Sequence, residues 1–211
     1  MERHVSISRG NAKMGLIASV SLPPITTCSK EACKLCGKKC YANKIAKLRP
    51  KTVGAAYQRN LDILKEEPEL FWREVNAAVA MSRFFRFGVS GDIYDKSYFE
   101  KMVEVAKNNK HCEILCFTKK FSIVNEYLES HRLPKNLHII FSAWKGLQMD
   151  NPNNLPEAHV FYRDGTTTAR DGAILCNGNC YDCCMSMANC CMSMANCWSL
   201  KKGAQVLFKE H

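Results

Sequence analysis

Four cysteines lie within thirteen residues near the start of the chain: Cys28, Cys33, Cys36 and Cys40. An apolar run at 15–22 precedes them and a helix-like segment at 41–48 follows. We therefore expect them on a loop between a strand and a helix, where the backbone can wrap around an inorganic centre. Thiolates at such short spacing are ligands for zinc or for an iron–sulfur cluster. Zinc sites usually combine two separated pairs, so four ligands on one loop favour iron–sulfur and leave zinc as the alternative.

A second group of cysteines lies near the other end of the chain: Cys176, Cys180, Cys183, Cys184, Cys190, Cys191 and Cys197. The first three, with a fourth from the rest, predict a second fully ligated cluster of the [4Fe–4S] type. Residues 184–190 and 191–197 are identical copies of Cys-Met-Ser-Met-Ala-Asn-Cys. Two interpretations stay open, since one copy can suffice beside a tolerated duplication, or the additional thiols can hold additional iron.

The chain has 13 cysteines among 211 residues, and their role depends on whether the cellular compartment is oxidising or reducing. The first residues lack a signal-peptide pattern and no apolar run approaches membrane-spanning length, so we expect a cytoplasmic protein without a membrane partner. Thiols stay reduced in the cytoplasm, which favours metal ligation over the alternative of a disulfide knot. The formal net charge of +10 fits an acidic electron donor or nucleic acid as a partner.

Alternating strand and helix patterns predict the elements that position these cysteines. Apolar runs predict strands at 15–22, 84–90, 113–117, 137–142 and 158–162, with amphipathic helical segments between most of them. Such alternation predicts an α/β fold with a parallel sheet, and the strand count favours a partial (β/α) barrel of five or six strands. We expect one domain over 1–211, with the barrel in 1–170, its cluster loop at 28–41 and a cysteine-rich extension at 171–211.

Residues Ser90, Gly91 and Asp92 end the second of the alternating core strands. Ligands bind at the carboxyl ends of parallel strands, so this segment is a candidate cofactor site whose carboxylate would receive an amino group. The alternative is structural, with Gly91 in a turn and Asp92 as the cap of the next helix. Cys112 and Cys116 are four residues apart around a strand and share a face. They are either buried, inert thiols or ligands of a third cluster with the tail cysteines.

Three segments together resemble the phage "gene product 88" family of cysteine-rich proteins: the Cys-x4-Cys-x2-Cys-x3-Cys-Tyr-Ala segment from Cys28, the strand end Phe87-Gly-Val-Ser-Gly-Asp92, and the closing pair Cys197-Trp198. More distantly, the chain is similar to the radical S-adenosylmethionine (SAM) superfamily. That resemblance implies a partial barrel, an active cluster near Cys28, Cys33, Cys36 and Cys40, and SAM near Ser90–Asp92. Here the loop carries four cysteines, and Ser-Gly-Asp stands in place of a Gly-Gly-Glu motif.

Three functions remain open from the sequence. The favoured one is an iron–sulfur protein with two or more clusters and a redox or radical role, supplied by an electron donor. The second is a nucleic-acid-binding module braced by structural zinc or iron–sulfur sites. The third is storage of iron and sulfur through the duplicated tail.

Overall fold

The computed structural model describes residues 3–11, 14–176, 178, 180 and 197–210. Within them, eight strands form one sheet: β1 (Ile7–Ser8), β2 (Ala18–Val20), β3 (Phe84–Phe87), β4 (Glu113–Thr118), β5 (Leu137–Ser142), β6 (Glu157–Phe161), β7 (Ile174–Leu175) and β8 (Gln205–Lys209). The described α-helices are α1 (Lys30–Cys36), α2 (Tyr41–Leu48), α3 (Ala55–Glu66), α4 (Pro68–Ala80), α5 (Lys96–Asn108) and α6 (Phe121–Ser130). None of these helices is long and apolar enough to span a bilayer.

The sheet is mostly parallel. Its strand order is β1-β2-β3-β4-β5-β6-β8-β7, and among the described strands only β1 pairs antiparallel. Strands β2 to β6 follow one another in the sheet as they do along the chain. Because parallel crossovers are right-handed, this order places α3 to α6 on the same face. The α/β prediction is confirmed.

The predicted count of five or six parallel strands is too low. Seven parallel strands are present among the described residues, because β7 and β8 of the extension at 171–211 join the same sheet. Strand β8 lies between β6 and β7 and pairs with β6 along its whole length, from Gln205 to Lys209. Since β1 and β7 occupy opposite ends of the described strand order, closure of the sheet is not seen, and the partial barrel stays a prediction.

Two hydrophobic cores lie on opposite faces of the sheet. Along β4, Ile114 and Cys116 pack with the helices, whereas Leu115 alternates to the other face, where it meets Met14 and Trp198. This alternation follows from the two-residue period of a strand. The second core is therefore covered by residues of loops and of the tail, whereas helices cover the first core.

Cys112 and Cys116 are buried in the helix-covered core. The described tail cysteines, Cys176, Cys180 and Cys197, pack on the opposite side of the sheet. Burial raises the pKa of Cys112 to about 12, so that thiol is protonated at neutral pH. A third cluster shared between these two thiols and the described tail cysteines is therefore wrong, and the inert interpretation fits.

Candidate functional site

A cavity of about 510 Å³ lies at the carboxyl ends of the parallel strands. Its lining includes six cysteines: Cys28, Cys36, Cys40, Cys176, Cys180 and Cys197. Thiols that are about 150 residues apart in the chain are thus brought to one space. The volume is within the usual range for small-molecule and cofactor sites, roughly 300–1,000 Å³.

The segment 28–41 is more regular than the predicted loop. Ser29 caps α1, since its hydroxyl oxygen accepts a hydrogen bond from the Ala32 amide at 3.2 Å. This cap lets a helix of seven residues form inside the segment, and it carries Cys33 and Cys36. Cys33 does not line the cavity; its Sγ donates to the Ile25 carbonyl at 3.5 Å.

The four cysteines of this segment are free thiols, as are the other described cysteines, so the disulfide knot is not formed by described residues. Burial raises the pKa of Cys28 to about 12, and the nearby Asp92 carboxylate contributes to the rise. Burial likewise raises the pKa of Cys33 and Cys36. These thiols are therefore protonated in the metal-free protein, and binding a metal would release their protons.

The donor type fits an iron–sulfur or zinc centre, because thiolates are the ligands of both. Among the described residues, however, no three His, Cys, Asp or Glu side chains lie close enough to hold a metal ion together. A centre would therefore require the cysteine side chains to turn towards one another. Cys183, Cys184, Cys190 and Cys191, predicted as further ligands, lie outside the described residues.

Ser90, Gly91 and Asp92 line the same cavity as the cysteines. Asp92 is 7% exposed, and its carboxylate accepts hydrogen bonds from Thr118 Oγ1 at 2.5 Å and from the amides of Ile93 (2.8 Å) and Lys119 (2.9 Å). Burial raises its pKa, although these hydrogen bonds oppose the change. The carboxylate therefore ties the end of β3 to the end of β4. The expectation that Asp92 caps the next helix is wrong, since Asp95 caps α5 by accepting from the Tyr98 amide.

Gly91 allows two loops to touch. Its φ is +76°, and a Cβ there would lie 2.6 Å from Thr27 Oγ1 and 2.8 Å from the Leu22 carbonyl oxygen. Thr27 Oγ1 donates to the Pro23 carbonyl at 2.8 Å and accepts from the Asp92 amide at 3.1 Å. The turn expected at Gly91 is present, and it fixes the strand end against the segment that leads to the cysteines.

Sequence reasoning missed Arg86, whose side chain also lines the cavity. It is the single charged residue of β3, in the sequence Phe-Phe-Arg-Phe. A charge within a buried apolar strand was the available signal. Lys119 also lines the cavity, and its Nζ donates to Ser142 Oγ at 2.8 Å.

An ion pair joins the cysteine segment to the last strand. Lys39 Nζ lies 2.6 Å from Oε1 of Glu210, whose side chain is 7% exposed, and Glu210 Oε2 accepts from the Arg163 amide at 3.0 Å. Both Lys39 and Glu210 line the cavity. The contact brings the residues after β2 and the residues after β8 to the same side of the cavity mouth.

Comparison with known proteins identifies relatives by sequence. The family model described as "Gene product 88" matches residues 5–200. The Gene 88 protein of Mycobacterium phage L5 is 27% identical over 172 residues, which cover 76% of this chain and 68% of that protein. No solved structure matches the chain. The residues matched by the family model include all six cysteines of the cavity, Arg86 and Asp92, and end before β8.

Proposed function

The chain belongs to the Gene product 88 family, and we propose that it is an iron–sulfur protein whose clusters bind in the cavity at the strand ends. One observation carries the proposal: cysteines from both ends of the chain line one cavity although nearly 140 residues separate the two groups. Cysteines without a shared role would not be expected to line the same cavity. Cysteine thiolates are the usual ligands of iron–sulfur clusters.

Cys28, Cys33, Cys36 and Cys40 would hold one cluster, and Cys176, Cys180 and Cys183 with a fourth cysteine would hold another. Bound clusters would supply one-electron transfer. The chain's own contribution is a partly buried space: Trp198, which is 2% exposed, lines it together with Phe117, Phe208 and the cysteines. Such burial excludes water from the thiolates and keeps their environment of low polarity.

A curled sheet, the partial barrel expected from the sequence, is part of this proposal. Phe117 on β4 and Phe208 on β8 have ring centroids 5.8 Å apart although β5 and β6 lie between them. In a flat sheet these strands would be about 14 Å apart. Inward curvature of the sheet explains this contact.

SAM is a second candidate ligand of the same site. Ser90, Gly91 and Asp92 line the cavity together with Cys28 and Cys36, so a cluster and a small cofactor would be neighbours there. The carboxylate of Asp92 retains acceptor capacity beyond its three hydrogen bonds and is suited to an amino group. Equilibrium dialysis of radiolabelled SAM against the reduced, iron-loaded protein tests this branch; absence of binding would remove it without affecting the cluster proposal.

Anaerobic purification followed by iron, sulfide and zinc analysis tests the main proposal. Two [4Fe–4S] clusters predict about eight irons and eight sulfides per chain. Cys36→Ala should lose about half of the iron, because it removes a ligand of the first cluster. Cys112→Ala is the matched control, since it removes a buried thiol from the opposite face of the sheet.

Far-ultraviolet circular dichroism should show that both variants stay folded. Equal iron in Cys36→Ala and wild type would contradict the proposed ligand role. Stoichiometric zinc without sulfide would instead favour the binding module with structural zinc, for which nucleic acid would then be the partner to test.

A further inference from the structure

The guanidinium of Arg86 faces the cavity without an anionic partner. Its Nε is buried and makes no hydrogen bond to described residues. The one hydrogen bond recorded for its side chain in the described part of the chain runs from Nη1 to Met14 Sδ at 3.6 Å, and thioether sulfur is a weak acceptor. Arg86 as a whole is partly buried, and removing a charged group from water without a partner is costly, so such a group normally has a counter-ion or a ligand. We propose that Arg86 binds the carboxylate of a small ligand that enters the cavity.

The carboxylates of the cavity are already used. Among the described lining residues, Asp92 and Glu210 carry the negative side chains. Asp92 accepts from three donors at the ends of β3 and β4, and Glu210 is paired with Lys39 and with the Arg163 amide. No described carboxylate lies within ion-pair distance of Arg86. The missing counter-charge therefore has to come from outside the described chain.

The arginine is held in place by packing. Its guanidinium carbon lies 4.7 Å from the centroid of the Phe117 ring. Arg86 also stands in register with Ser19 of β2 and Leu115 of β4, which fixes the position of its backbone in the middle of the parallel sheet. A guanidinium stacked on an aromatic ring presents its edge, with its N–H groups, to an incoming group. A carboxylate matches this edge through two parallel hydrogen bonds.

The other residues that line the cavity indicate what the rest of the ligand should be. Phe117, Trp198 and Phe208 supply apolar surface on the same side of the sheet as Arg86. The described lining also includes three lysines, but Arg86 is its one arginine, and a single planar fork suits a carboxylate of one charge, since phosphate groups usually receive several donors and backbone N–H groups. The predicted ligand class is a small carboxylic acid with an apolar or aromatic body. This inference concerns the metal-free cavity, since thiolate-bound clusters in the same space would themselves bring negative charge.

The buried hydroxyl of Ser90 is the other described polar side-chain atom without a hydrogen bond of good geometry. The Tyr57 phenol makes a polar contact with this hydroxyl, whereas Arg86 Nε has no comparable partner among the described residues. Arg86 is therefore the residue to substitute. Arg83 offers a matched control, because it precedes the same strand, is exposed, stacks on Phe84 at 5.4 Å and does not line the cavity.

Equilibrium dialysis of the full-length protein with three probes tests the site: 4-fluorobenzoate, its neutral analogue 4-fluorobenzamide, and 4-fluorophenyl phosphate. Wild type and Arg83→Met should bind 4-fluorobenzoate equally. Arg86→Met should bind it about tenfold or more weakly, because a charge-assisted hydrogen bond is lost. Arg86→Lys should be intermediate, since it keeps the charge and loses the planar fork.

The urea midpoint of Arg86→Met should equal or exceed that of wild type, because methionine removes an uncompensated charge and keeps an apolar stem. A lower midpoint would show that Arg86 supports the fold and would overturn the assignment. Equal binding of benzoate and benzamide by wild type, or equal binding of benzoate by wild type and Arg86→Met, would also overturn it. Tighter, Arg86-dependent binding of the phenyl phosphate would overturn the choice of carboxylate and assign the anion to a phosphate ester.

Discussion

Substitution of Gly91 by alanine tests how the cysteine segment is held against the sheet. The new Cβ would lie 2.6 Å from Thr27 Oγ1 and 2.8 Å from the Leu22 carbonyl oxygen, and the residue would keep a φ of +76°. Thr27 cannot move away cheaply, since its hydroxyl is fixed by hydrogen bonds to Pro23 and Asp92. Gly165→Ala is the matched control, because Gly165 has a φ of +80° and nothing within 4 Å of its added Cβ.

The two variants separate backbone strain from the steric clash. A non-glycine residue at positive φ costs about 1 kcal/mol, which is the whole effect expected for Gly165→Ala. Forcing a methyl group into a packed contact adds about 1–3 kcal/mol for Gly91→Ala. The total is about 2–4 kcal/mol, a large part of the roughly 5–15 kcal/mol that stabilises a typical domain.

Urea unfolding of metal-free protein under reducing conditions measures the difference. With a slope of about 2 kcal/mol/M, the midpoint should fall by about 1–2 M for Gly91→Ala and by about 0.5 M for Gly165→Ala. The iron content of Gly91→Ala should fall as well, because the segment that leads to the cysteines packs on this glycine. Equal midpoints for the two variants would refute the close approach and with it the positioning role of Gly91.

Two further substitutions, of Glu157 and of Asn136, test side-chain hydrogen bonds elsewhere in the fold. Burial raises the pKa of Glu157, but hydrogen bonds from Asn151, His159 and Gln205 outweigh it and leave the pKa below its ordinary value of 4.5. Glu157→Gln should therefore cost about 1 kcal/mol at neutral pH, and the difference from wild type should shrink as the pH falls through the folded-state pKa; a difference in urea titrations that does not change as the pH is lowered would contradict this. Asn136→Ala should cost about 2–3 kcal/mol, because Nδ2 of Asn136 donates to three buried carbonyls at 2.9–3.0 Å. Thermal unfolding should show the loss, whereas Asn125→Ala, which removes an exposed hydrogen bond, should lower the midpoint less.

The long apolar strands were predictable because they are buried on both faces. The run at 113–117 and the run at 137–142 correspond closely to β4 and β5. Strand β8 was missed because five residues after a cysteine-rich segment give little periodicity. What identifies β8 as a strand is its partner β6, a long-range contact that no local pattern contains.

The residue types of the candidate site were predicted better than their arrangement in space. Cysteine spacing singled out two segments whose cysteines line one cavity, and the strand-end rule singled out Ser90–Asp92, which line the same cavity. Spacing could not show that Cys33 lies outside the cavity lining and donates to the Ile25 carbonyl, since that depends on how α1 packs. Arg86 was missed for a related reason: that no described carboxylate pairs with it can be seen only in the packed structure.

The insertion of β8 between β6 and β7 has a consequence for the order of events during synthesis. The ribosome releases β6 and β7 before β8, so these two strands cannot reach their final arrangement until the residues up to Lys209 have emerged. Phe208 and Glu210, which border the cavity, arrive with that strand. A nascent chain that stops short of Gln205 would carry all 13 cysteines of this sequence without the strand that borders the cavity. The cavity can therefore form only after β8 has been synthesised.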